Sequence, residues 1–209
     1  MKYTKSTRSA HFQRLARELN MTFSATDDWG LMELLQEFEL FQKGRRQKIS
    51  NVLHSVDDFM ELNISIFDFE YVKGKSRERN TTRQTVFFFR SRALGLPEIY
   101  MRPENFLHRI ANYLKISQDI DFEKYPDFSK QYLLQGEDEA YIRHTMNDEV
   151  LQFFTTEKGW TLEAINFFLL FHQENQLLKP WEIKRLFKKG LKLHELLRVV
   201  RVASSEFRV

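Results

Sequence analysis

The chain has 209 residues, 42% hydrophobic and 29% charged, a balance that fits one globular domain of ordinary size better than two small ones. Seven Gly and four Pro are too few for a fibrous or low-complexity chain, and 20 Phe oppose wholesale disorder. The net charge of +3 comes from interspersed signs rather than one basic stripe, and the lack of Cys excludes disulfides, thiolate metal sites and cysteine nucleophiles.

Met1 to Arg8 is polar and basic with no apolar run behind it, so no secretory signal is expected. Phe12, Leu15, Ala16 and Leu19 then fall at helical spacing and predict a short amphipathic helix. Asp27 and Asp28 are placed to cap a second helix carrying Leu31, Leu34, Leu35 and Phe38. From Glu37, Phe38 and Leu40 alternate with acids, which predicts a change to strand.

Arg45 to Met101 is mostly of period two. Met60, Leu62, Ile64 and Ile66 share one parity, whereas Phe67, Phe69 and Tyr71 carry the apolar weight on the other. That slip predicts a bulge near Ile66-Phe67. Lys73 to Arg83 reads as a basic hairpin loop leading into Gln84 to Arg90, whose centre is apolar on both faces. Gly95 and Pro97 break the chain, Glu98 to Arg102 is a short strand, and Pro103-Glu104 opens a helix carrying Phe106, Ile110, Ala111 and Leu114.

Asp119 to Phe122 is expected as a short strand, Tyr125 to Ser129 as a loop, and Gln131 to Leu134 as a strand ending at Gly136. One helix follows, with Glu137, Asp138 and Glu139 in its first turn, Ile142, Met146, Val150 and Phe153 as its buried stripe, and Gly159 as its stop. Trp160 to His172 is compatible with one buried helix or two short strands turning near Asn166; strands are the expectation. Pro180 opens a helix to Gly190, and a last helical stretch uses Leu193, Leu196, Leu197 and Val200.

The elements predict an α+β fold: one antiparallel, bulged sheet packed with amphipathic helices, with helical N- and C-terminal segments. A single domain is expected over 1–209, with N-terminal helices over 8–36, mainly β structure over 37–102, mixed segments over 103–172 and C-terminal helices over 180–202. The strongest apolar stretch, Ala164 to Phe171, is far shorter than the ~20 residues of a spanning helix. A cytoplasmic chain that does not cross a membrane is therefore expected.

Glycines never cluster into a phosphate cradle, no G-x-S-x-G elbow is present, and the six His never fall at H-x-H or H-x-x-x-H spacing. No cofactor is expected. Asp119, Asp121 and Glu123 alternate as a hard-cation site would, but Lys124 and Lys130 stand where a calcium loop needs Gly and Glu, so they are only a fallback metal site. The densest basic stretch, Lys73, Lys75, Arg77, Arg79 and Arg83, is the candidate anion site; Lys184, Arg185, Lys188, Lys189 and Lys192 form a second positive surface, read as a solvated helix face.

Read in order, Asn51-Val52-Leu53, Phe67-Asp68-Phe69-Glu70-Tyr71, Gln84-Thr85-Val86, Arg102-Pro103-Glu104, Asp119-Ile120-Asp121-Phe122, Phe128-Ser129 and Tyr132-Leu133-Leu134-Gln135-Gly136, with Arg143 beyond, resemble a family of uncharacterised bacterial proteins. The resemblance runs from Glu37 to His172, implies an α+β domain of bacterial origin and transfers no catalytic residue. Without a catalytic motif, the leading expectation is a non-enzymatic module that binds another protein or a surface. The alternatives are an enzyme with a discontinuous carboxylate/histidine site, and a weak binder of nucleic acid or anionic lipid through the Lys73 to Arg83 loop.

Overall fold

A computed structural model describes residues 5–59, 61–74, 80–104 and 119–198. The helix expected after Pro103, with Phe106, Ile110, Ala111 and Leu114, lies outside the described residues, as does Met60. Helix α1 (Lys5–Leu19) leads to β1 (Thr22–Ser24), the single-turn α2 (Leu31–Leu34) and a 3-10 turn (Glu39–Gln42). Three long strands follow, β2 (Arg45–Asp57), β3 (Leu62–Lys73) and β4 (Asn80–Ser91), then β5 (Leu96–Pro103). The chain continues through α3 (Pro126–Ser129), β6 (Tyr132–Gln135), α4 (Glu139–Thr145), α5 (Asp148–Thr156), the hairpin β7 (Thr161–Asn166) and β8 (Phe168–His172), and α6 (Pro180–Leu197).

The eight strands among the described residues form one antiparallel sheet in the order β1-β2-β3-β4-β8-β7-β5-β6, which establishes the expected α+β fold. Two cores lie on its two faces. The larger packs Leu62, Ile64, Ile66, Phe87 and Phe89 with apolar residues of α1 and of α3 to α6. The smaller packs Phe67, Phe69, Tyr71, Val86 and Phe88 with Leu31, Leu35, Phe38, Leu40 and Phe41. Covering on both sides explains why β4 is apolar at its centre on both faces.

The parity slip in β3 has a different origin from the predicted one. Pairing of β3 with β4 runs without a break from Leu62↔Ser91 to Lys73↔Asn80, so β3 itself is regular. Its apolar weight passes from the larger core to the smaller one after Ile66. The bulge sits in the neighbouring strand: between Ser50↔Asp68 and Leu53↔Ile66, β2 places Asn51 and Val52 opposite Phe67 alone, with Asn51 at φ 52°.

Other departures are local. The alternation after Glu37 forms the 3-10 turn, and β2 starts only at Arg45, because Leu40 and Phe41 are both buried in the smaller core. Asp119 to Phe122 is not a strand, although Ile120 N–H donates to the Leu134 carbonyl at 2.9 Å. Pro126 begins α3 where a loop was expected. The helix expected after Glu137 is two helices: Asp138 caps α4 through Tyr141 N–H, and Asn147 caps α5 through Glu149 N–H and Val150 N–H. Trp160 to His172 is a hairpin turning at Asn166, whose φ of 52° Asn tolerates well. Gly190 does not stop α6; a Cβ there would lie 2.6 Å from Phe89 Cζ, so Gly lets the helix approach the sheet.

Candidate functional site

Of the five residues assigned to the basic loop, Lys75, Arg77 and Arg79 lie outside the described residues. Lys73 Nζ is 2.8 Å from Glu174 Oε1 and 5.4 Å from the Tyr71 ring centre. Burial pulls its ammonium down, but Glu174 and Tyr71 more than offset this and hold it above the usual lysine range. Arg83 pairs with Glu70. On the fallback metal edge, Asp119 Oδ1 accepts Leu134 N–H at 2.9 Å; burial and the charge of Asp121 push its carboxyl up. Arg143 donates to the Asp121 carbonyl, Glu123 is exposed, and no three His, Asp or Glu side chains converge among the described residues.

Two polar constellations are buried against the sheet. On the α1 side, Arg8 grips Asp68 through Nε to Oδ2 at 2.5 Å and Nη2 to Oδ1 at 2.6 Å. Asn51 Nδ2 donates to Oδ2 at 2.9 Å and Thr85 Oγ1 to Oδ1 at 3.1 Å, so each carboxylate oxygen has two donors. Thr85 Oγ1 in turn accepts Leu178 N–H, and Ser9 Oγ donates to Asn51 Oδ1. The β2 bulge has a clear use here: it brings the Asn51 amide to Asp68. With every group partnered, this network ties α1, the bulge and the chain before α6 to the sheet.

On the opposite face, register sets Tyr100 beside Glu163 and Thr161 beside His172. Glu163 Oε1 accepts Leu40 N–H at 3.0 Å, which pins the 3-10 turn to β7. Burial pushes the Glu163 carboxyl up to about 7 against the opposing charge of Lys43 and the backbone N–H groups of Leu40 and Glu39. Burial pulls His172 down to about 3, with Lys43 adding to it; the Gln173 backbone opposes this, and neither ring nitrogen makes a hydrogen bond among the described residues. Burial and the Glu163 charge push the Tyr100 phenol up as well.

The helix layer presents a third arrangement outward. Ile183, Leu186, Gly190, Leu193, His194 and Leu197 are the buried side of α6. At 100° per residue, Trp181, Arg185, Lys188 and Lys192 fall within about 40° of one line on the opposite side. Trp181 is 59% exposed, Lys179 Nζ lies 4.8 Å from its ring centre, and Leu177 just ahead of the helix is 37% exposed. Lys184 flanks the line and pairs with Glu18 of α1, while Lys189 pairs with Glu157. Arg185, Lys188 and Lys192 make no ion pair among the described residues. Arg14 and Arg17 lie exposed on the neighbouring α1, opposite its buried Phe12, Leu15 and Ala16. Sequence periodicity locates the α6 cations; what it leaves out is Trp181 at their head, which the single phase of a continuous helix aligns with them.

The class these observations define is an antiparallel α+β sheet with two cores and a cationic helix layer on one face. No protein-family model matches the chain, and neither does any curated protein. Among solved structures the fold is similar to the crystal structure of the mycobacterial trehalose monomycolate transport factor A, TtfA, with a TM-score of 0.59 over 92% of this chain and 97% of that one. At 10% identity the likeness is one of fold. No helix among the described residues is long and apolar enough to cross a membrane.

Proposed function

We propose that the chain is a non-enzymatic interaction module that docks through the outer face of α6 onto an anionic partner. The observation that carries this reading is the line of Trp181, Arg185, Lys188 and Lys192, with the last three free of acidic partners among the described residues. Solvated lysines are ordinary; an exposed Trp at the head of a row of unneutralised cations is not, because large apolar groups favour burial. The name of the fold neighbour, a transport factor, is consistent with an interaction role.

The hairpin end of β3 and β4 is the alternative anion site, but Lys73 and Arg83 belong to the paired strands rather than to a loop, and both already hold acids. The enzyme alternative, which in the sequence rests on Asp119, Asp121 or Glu123 with a histidine, would find a carboxylate and a histidine together at Glu163 and His172, which share a face of adjacent strands. Both are fully buried, and Glu163 already accepts a backbone N–H. Retention on immobilised heparin separates the two anion readings. Replacing Arg185, Lys188 and Lys192 by Ser should lower the eluting salt well below that of the parent. Replacing Lys73, Lys75, Arg77, Arg79 and Arg83 by Ser should change it little. The reverse pattern would move the docking site to the hairpin.

A further inference from the structure

Building on that docking site, we propose that its partner is the surface of an anionic lipid bilayer, with α6 lying along the headgroups and the Trp181 ring entering the boundary with the acyl chains. Three features of the face point to lipid. Its outward line joins one large exposed aromatic ring to three cations, and basic side chains close to an anionic bilayer are drawn to it by about 1 kcal/mol each. Trp181 with Lys179 over its ring offers an apolar body and an adjoining charge, the combination that settles where water gives way to hydrocarbon. The contact also has breadth. Helices α1 and α6 pack together, so Arg14 and Arg17 face the same side as Arg185, Lys188 and Lys192, and the Glu18 beside them is already occupied by Lys184. Two further acids flank the line: Glu182, whose Oε2 accepts Lys179 N–H at the start of α6, and Glu195 at its far end. A planar array of headgroup phosphates matches cations spread across two helices, and such attraction weakens as salt rises.

Co-sedimentation of the full chain with vesicles tests this, using phosphatidylcholine alone and phosphatidylcholine with about one-third phosphatidylglycerol. The chain should pellet with the anionic vesicles and not with the neutral ones, and high salt should release it. Replacing Arg185, Lys188 and Lys192 by Ser should weaken partitioning on the order of a hundredfold, about fivefold per cation. Lys188→Glu alone should weaken it more than the loss of one cation does. Lipids brominated on their acyl chains should quench the parent's fluorescence, and Trp181→Phe should bind nearly as well while losing that quenching. Circular dichroism establishes that each variant is folded. Equal partitioning to both vesicle types, or an unaffected triple variant, would overturn the proposal. If vesicles fail while heparin retention still depends on the three cations, lipid is the wrong partner and the docking site stands. Binding of duplex DNA in place of vesicles, with the same dependence, would identify a nucleic-acid partner. Should heparin retention be independent of the three cations as well, the docking reading falls with it.

Discussion

The sheet buries a carboxylate on each face, and the two are treated in opposite ways. Asp68 has four donors from Arg8, Asn51 and Thr85, one of them delivered by a bulge, and a cation as counter-charge. Glu163 has one well-placed backbone donor, and its neighbour His172 has none. The difference teaches that depth alone does not decide how a buried acid is accommodated: Asp68 is met by four donors, whereas Glu163, with one, is driven by burial toward its neutral form.

The sharpest break of this comparison is Arg8→Met, which leaves Asp68 buried without its counter-charge. It should lower unfolding stability in urea by about 3–5 kcal/mol, and Arg8→Met with Asp68→Leu should recover much of that. A single variant near the parent would show that Asp68 does not depend on the pair.

The pH dependence of the other face comes next in size. The Glu163 carboxyl is at about 7 in the folded chain against an ordinary 4.5, so between those values the folded chain keeps a proton that the unfolded chain has lost. Parent stability should therefore fall as pH rises through that window. The difference from Glu163→Gln should change by about 3 kcal/mol in favour of Gln. His172 has the opposite sign. Its folded value of about 3 against 6.5 means that the unfolded chain takes up the proton first, so stability falls as pH drops through that range. His172→Phe should flatten that acid limb in thermal melts at stepped pH. A Gln variant that tracks the parent at every pH would remove the contrast between the two faces.

Smaller effects probe the satisfied face. Asn51→Ala removes one charge-assisted hydrogen bond and puts a β-carbon residue without local bonding at φ 52°, so a loss of about 2 kcal/mol is expected from urea unfolding. Ser9→Ala removes only a neutral bond at the margin of the network and should cost about 1 kcal/mol. Equal losses from these two would show that the bond to the Asp68 carboxylate adds nothing beyond the neutral Ser9–Asn51 bond.

Much of the fold was legible where the signal is local. The turn at Asn166, the covered strand at Phe87-Phe88-Phe89 and the first amphipathic helix follow from periodicity and turn chemistry. The break at Asn147 was also readable, since Asn147-Asp148-Glu149 is a helix start inside a helical pattern. Residues answering to distant partners were not. The need for Gly at position 190 is set by Phe89 on another element, and the bulge at Asn51 by Asp68. Parity showed that something changes at Ile66-Phe67 but not that the neighbouring strand absorbs it. The α6 cations were visible as a surface; Glu163 and His172 carry no motif, and only the β7–β8 register puts them together.

The order of the sheet also dictates a timetable. Strands β2, β3 and β4 pair through neighbouring segments, whereas the other edge of β4 waits for β8, roughly eighty residues further along the chain. At a synthesis rate of about 5–20 residues per second, Phe87-Phe88-Phe89 is without that partner for roughly 4–16 s, a hydrophobic edge of the kind that recruits other chains. Nascent chains stalled before Phe168 emerges should be held by chaperones, and those stalled after His172 should be released. The β7–β8 hairpin thus finishes the sheet and also ends its period of greatest danger.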